Sequence, residues 1–222
     1  MSPAPSRALL RLALWSVAAG VGTAVISALF RLGWVPPTLA NPLIVLAFAA
    51  AAVRGRERAL VALLAVALAS ALVELAIADP AFVQRDVLHY DAGGPFVVDS
   101  PLYMPISWVY IVVQMGVIAL WLTERFGLGR ASLIMAVTGG LNGPTYEFLA
   151  QYANWWTYTN CWLVAGVPVF VIASEAAIGA SLPLVASQAL RRSLPAAGAI
   201  GGLLGVFMWA SAELAFAWIG PA

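Results

Sequence analysis

The chain has no lysine, one cysteine and one histidine, and only 9% of its 222 residues are charged. A single cysteine, Cys161, excludes an intrachain disulfide and a thiolate metal cluster. A single histidine, His89, leaves no HExxH pair and no helical histidine for a Ser-His-Asp set, and no P-loop or GxGxxG run is present. Eleven arginines against ten acids give a formal charge of +1, so there is no cationic excess for nucleic acid, and none is expected as a partner. Aspartate is missing from the long apolar runs. Asp79, Asp86, Asp91 and Asp99 all fall between two of them, so no aspartate pair stands in a helix to hold a magnesium diphosphate. Metal, nucleotide and hydride chemistry have no visible apparatus, and no cofactor is expected.

What is abundant is apolar sequence, 63% of the chain, far above the soluble norm. About 20 apolar residues cross a bilayer core. Seven candidates run approximately from Leu9 to Phe30, Thr38 to Val53, Ala59 to Ala78, Tyr103 to Leu122, Ala131 to Ala150, Trp162 to Ser187 and Ala196 to Ile219. The run after Arg7 and Arg11 is too long for a signal-peptide core and reads as a retained first helix. The reading is therefore all-α: a polytopic membrane protein, one domain over residues 1–222, a bundle of about seven transmembrane helices. With seven spans, Arg7, Arg11, Arg54, Arg56, Arg58, Arg125, Arg130, Arg191 and Arg192 share one side, and only Arg31 and Arg85 lie on the other. By the positive-inside rule the N-terminus is expected to be cytoplasmic, in a multi-pass protein of a bacterial plasma membrane. No internal repeat and no low-complexity segment is apparent.

Against this background Glu74, Glu147, Glu175 and Glu213 stand inside the apolar runs. A carboxylate in hydrocarbon is costly, so each is a functional-site candidate. Counting residues from the span ends, Glu74, Glu147 and Glu213 belong to the outer half, and Glu175 is expected near the midplane. The outer connection from Asp79 to Leu102, with its glycines and prolines, is expected to be too broken for a helix, and His89 within it reads as a polar loop residue. The second outer connection, Gln151 to Trp162, carries Tyr152, Trp155, Trp156, Tyr158 and Trp162 without a charge. An interfacial aromatic belt accounts for some of these; ring faces that stabilise a cation are the alternative.

The densest motif is Gly139-Gly140-Leu141-Asn142-Gly143-Pro144-Thr145-Tyr146-Glu147. Pro144 removes a backbone donor, so this helix is expected to kink or open near Gly140 and to line a cavity with Asn142, Tyr146 and Glu147. The plainer reading is a packing helix whose glycines admit a neighbour. Glu175, with Gly179 one turn on, is either a deep acid or a structural hydrogen-bond partner, and Glu213 lies near enough to the interface to reach headgroups. Burial raises a carboxyl pKa, so an acid in an apolar, aromatic pocket can protonate an alkene or epoxide, with rings to stabilise the carbocation.

The order of Glu74, Pro101 to Trp108 (PLYMPISW), Asn142 to Glu147 (NGPTYE), Trp155 to Tyr158, Gly166, Pro168 and Glu175, over residues 70–180, resembles the small seven-helix transmembrane terpenoid cyclases of fungal meroterpenoid and bacterial indole-sesquiterpenoid pathways. Carotenoid hydratases and cyclases are a weaker second likeness. The resemblance implies cofactor-free cyclisation of a prenylated substrate by two acids, Glu74 and Glu147, with Glu175 as alternative partner. It further implies a substrate surface from Trp108, Asn142, Tyr146, Trp155, Trp156 and Tyr158, with Glu213 at its edge. Tyr146 stands where the fungal motif favours tryptophan. The expected function is a metal-free, protonation-initiated terpene cyclase acting on an isoprenoid, with membrane lipids as its other partners. The rivals are a carotenoid hydratase or lycopene-type cyclase and, from another class, a proton-coupled transporter or lipid-binding protein.

Overall fold

The computed structural model describes residues 5–91 and 93–220. It is all-α. Helix α1 (Arg7–Phe30) is followed by α2 (Val35–Gly55) and α3 (Arg58–Val73), which continues through a π-helical turn, Glu74–Ala78, into α4 (Asp79–Val83). Then come α5 (Tyr103–Phe126), α6 (Leu128–Ala153), α7 (Val169–Leu190) and α8 (Leu194–Ile219). Six helices, with Arg58–Val83 counted as one, are long and apolar enough to cross a membrane. The expected fifth span, α6, is long enough but is not among them, because its Gly-Gly, Asn142, Thr145 and Glu147 lower its hydropathy.

The helix ends opposite the strands carry the arginine-rich connections. They are short, and Arg58 Nη2 donates to the Arg192 carbonyl at 3.4 Å across them. The other end carries three two-stranded ladders. Strand β1 (Leu88–Tyr90) pairs antiparallel with β4 (Trp156–Tyr158); β2 (Phe96–Val97) with β3 (Ser100–Pro101), and β5 (Leu163–Val164) with β6 (Val167–Pro168), form tight hairpins.

Three expectations are corrected here. The connection after Asp79 begins as helix, since Pro80 can occupy the first turn of α4, where its missing N–H is not required. The sixth span does not start at Trp162. Ala165 (φ 54°) and Gly166 (φ 81°) turn the chain back on itself, so the apolar run Leu163 to Pro168 is a hairpin and α7 begins at Val169. And α6 neither breaks nor opens at Pro144 but runs unbroken over 26 residues.

The two outer connections also follow one plan, which the sequence did not reveal. Both outer connections run acid-bearing helix, strand, hairpin, proline, helix. Asp79 and Glu147, and Tyr90 and Tyr158, stand 68 residues apart; Pro101 and Pro168, and the left-handed hairpin residues Val98 (φ 57°) and Ala165, stand 67 apart. The β1–β4 register, Leu88 with Tyr158, His89 with Thr157 and Tyr90 with Trp156, maps onto itself when the two units are exchanged. A local two-fold axis therefore passes between His89 and Thr157. The β1–β4 ribbon lies over a cavity lined from α5, α6 and α7 and from the π-turn after α3.

Candidate acid site

Beneath the β1–β4 ribbon lie two adjoining cavities. Trp108, Met104, Glu147, Trp156 and Glu175 line both. The first adds Glu74, Asp79, Phe82, Tyr90, Tyr158 and Phe170; the second adds Asn41, Tyr103, Tyr110, Asn142, Tyr146 and Trp155.

Glu74 is only 5% exposed and sits in the π-turn. The turn has a local cause: Pro80 cannot donate to the helical ladder and its ring would strike the carbonyl of Ala76, so the ladder widens and the Asp79 N–H bonds to the Glu74 carbonyl. In a regular α-helix, residues five apart point about 140° away from each other. The wider turn brings Asp79, also 5% exposed, onto the face of Glu74, and the two carboxyl groups meet. Tyr90 Oη donates to Asp79 Oδ2 at 2.7 Å from β1. Burial first, then the carboxylates Asp79 and Glu74, hold the Tyr90 phenol protonated well above the usual tyrosine range.

Glu147 lies six residues before the end of α6 and Glu175 six after the start of α7, so they share one depth. This replaces the midplane position expected for Glu175, which rested on starting that helix at Trp162. Their approach is set by glycine. A Cβ on Gly143 would lie 2.5 Å from Glu175 Cγ, and one on Gly139 or Gly179 would strike the facing backbone carbonyl of Glu175 or Met135. The glycines of the Gly139 to Glu147 motif thus seat α7, and the same helix presents Asn142, Tyr146 and Glu147 to the cavities.

Glu147 is held from β4. Trp156 Nε1 donates to Glu147 Oε2 at 2.5 Å, and the Tyr158 hydroxyl bonds to the same carboxylate. Burial, then the charge of Glu147, keeps the Tyr158 phenol protonated well above its usual range. Trp155 Nε1 donates to the Gly33 carbonyl at 2.7 Å, fixing the ribbon to α1's end. The far wall is aromatic: Phe82 stacks on Phe170 at 5.2 Å, and Phe216 meets Phe170 edge-on at 5.2 Å.

Of the residues singled out in the sequence, Glu74, Glu147, Glu175, Trp108, Asn142, Tyr146, Trp155, Trp156 and Tyr158 all line this pair of cavities. Glu213 does not. It forms a two-pronged ion pair with Arg85, at 2.6 and 3.0 Å, and accepts from Trp209 Nε1, so its carboxylate is engaged outside the two cavities. His89 also stays outside, bonded to Thr159 Oγ1 at 2.6 Å. Sequence reasoning missed Asp79, counted with the loop aspartates. The signal was there: an acid five residues beyond a buried acid and directly before proline. No group of three or more metal-ligating side chains is found among the described residues.

Residues 76–219, more than half of the chain, match a family described as "Domain of unknown function (DUF6989)". No curated protein and no solved structure matches the chain.

Proposed function

The chain belongs to the DUF6989 family, and for it we propose metal-free, protonation-initiated cyclisation of an isoprenoid chain in the cavities under the β1–β4 ribbon. The protein is then an integral membrane enzyme of seven spans, counting α6, with its N-terminus and arginine-rich end in the cytoplasm and its substrate entering from the lipid. A prenylated small molecule is the substrate class; no cofactor and no nucleic acid takes part.

One observation carries the reading: several carboxyl groups, Glu74, Asp79, Glu147 and Glu175, converge with indole and phenol rings on a single cavity whose remaining wall, Ser174 apart, is apolar. Carboxyls supply and remove protons. Trp108, Trp156, Phe82 and Phe170 present ring faces to a cation that water would otherwise quench. The apolar lining from Met104, Ile178 and Met208 fits a hydrocarbon chain and offers no cradle for phosphate. A proton-coupled transporter would need carboxyls through the full depth; in this chain the buried ones gather at the strand-bearing end.

The test is protein reconstituted in vesicles with a panel of farnesylated, epoxyfarnesylated and longer polyene substrates, analysed by mass spectrometry and NMR. Wild type should form a cyclic product with chelator present, and Glu74→Gln and Glu147→Gln should lose at least about 100-fold, the usual worth of one acid or base. Full activity in both variants would remove the mechanism.

A further inference from the structure

The two halves of the site hold their acids differently. Glu147 is surrounded by donors: Trp156 Nε1 at 2.5 Å and the Tyr158 hydroxyl both point hydrogens at its oxygens. A carboxyl whose oxygens accept two such bonds is placed as a proton acceptor. Across the local two-fold axis, Asp79 occupies the position of Glu147 and accepts from Tyr90 of the equivalent strand, with the Ser100 hydroxyl as a further donor beside it. What Asp79 has and Glu147 lacks is a second carboxyl within hydrogen-bonding reach, that of Glu74, which in turn has the Trp108 indole beside it. Glu74 Oε2 is buried with no hydrogen-bond partner among the described residues, and Glu74 is 5% exposed. Two carboxylates cannot donate to each other, and a single proton between them satisfies both.

We propose that Glu74 and Asp79 form a proton-sharing pair that is the acid of this site, and that Glu147, the counterpart of Asp79 across the axis, is its base. The assignment rests on the isoprenoid cyclisation reading for its chemistry. The pair's O–H bond breaks as the proton adds to one alkene carbon, whose π electrons form the new C–H bond and leave a cation on the other carbon. A second double bond gives its π pair to the cation and closes the ring. Glu147 then takes a proton from the carbon beside the final cation, and the C–H electron pair becomes a double bond. The proton passes back from Glu147 to the pair between turnovers. Substrate and product are isomers, and no water or co-reactant is consumed. Glu175, on α7, faces Trp108 across the same cavity and is left to stabilise the cation between the two stations.

Infrared difference spectroscopy tests the assignment without any turnover. A protonated carboxyl has a carbonyl stretch that moves when hydrogen is exchanged for deuterium. Asp79→Asn and Glu74→Gln should each delete one and the same band, and Glu147→Gln should leave it in place. Asp79→Asn preserves volume and hydrogen-bonding positions; Tyr90→Phe, which removes only the bond to Asp79, should shift the band and serves as the second variant. In turnover, Asp79→Asn should lower kcat about 100-fold with KM little changed, and the product formed in D2O should carry one deuterium and no added water. A band that survives Asp79→Asn, a band lost in Glu147→Gln, or a hydrated product overturns the assignment. If the bands behave as expected but wild type converts no isoprenoid, the pair stands and the cyclase reading falls.

Discussion

Glycine is where single atoms decide this site. A methyl on Gly139 or Gly179 would meet a backbone carbonyl of the opposing helix, which cannot swing aside as a side-chain end can. Gly139→Ala and Gly179→Ala should each cost roughly 1–3 kcal/mol by overpacking, seen as lower melting temperatures in detergent. Gly198→Ala, with open space around the added carbon, should instead gain about 0.5–1 kcal/mol from helix propensity. Equal behaviour of the three would contradict the packing described. Tyr90 supplies a pH test at the same scale. Its phenol ionises less readily folded than unfolded, so folding keeps a proton that the unfolded chain loses. That contribution is complete below the ordinary tyrosine value of 10.0 and is lost as pH rises beyond it. Melting temperature should therefore fall in strong alkali, and less so in Tyr90→Phe.

Between α3 and α4 the element to watch is the π-turn. Restoring a donor with Pro80→Ala should let the segment relax to a regular helix and swing Asp79 away from Glu74. The expected result is a protein as stable as wild type, or more so, with turnover reduced at least tenfold; unchanged turnover would mean that the turn does not align the acids. The Arg85–Glu213 contact between α4's exit and α8 is different. Its partners are 40% and 27% exposed, so a double-mutant cycle should find at most about 1 kcal/mol of coupling. These elements also show what could be read in advance. Hydropathy located the helices, because every long one except α6 carries a stretch apolar enough to cross a membrane. It misplaced α7, because a hairpin such as Leu163 to Pro168 can be as apolar as a helix, and only the turn at Ala165 and Gly166 separates the two. Asp79 was concealed by its neighbours in sequence, since an Asp-Pro pair followed by more aspartates reads as loop until the π-turn is seen.

For the whole molecule, the common plan of the two outer connections accounts for the gathering of the carboxyl groups at one end. Each delivers an acid from the end of one helix, a tyrosine from the strand that follows and a ring or carboxyl from the next helix, and the β1–β4 ribbon joins the two over the cavity. The plan was invisible in the sequence because the connections share it more than residues: Asp79 answers to Glu147, Trp108 to Glu175, Val98 to Ala165. The arginine distribution was legible from the start, and it coincides with the helix ends opposite the site. The central claim, that this convergence of carboxyls and rings cyclises an isoprenoid by proton transfer, is tested most directly by one measurement: conversion of farnesylated and epoxyfarnesylated substrates by the reconstituted protein, with chelator present, resolved by mass and NMR. The account predicts a cyclic isomer from wild type and none from Glu74→Gln or Glu147→Gln. Recovery of every substrate unchanged from folded wild-type protein, or equal conversion by both variants, would contradict it.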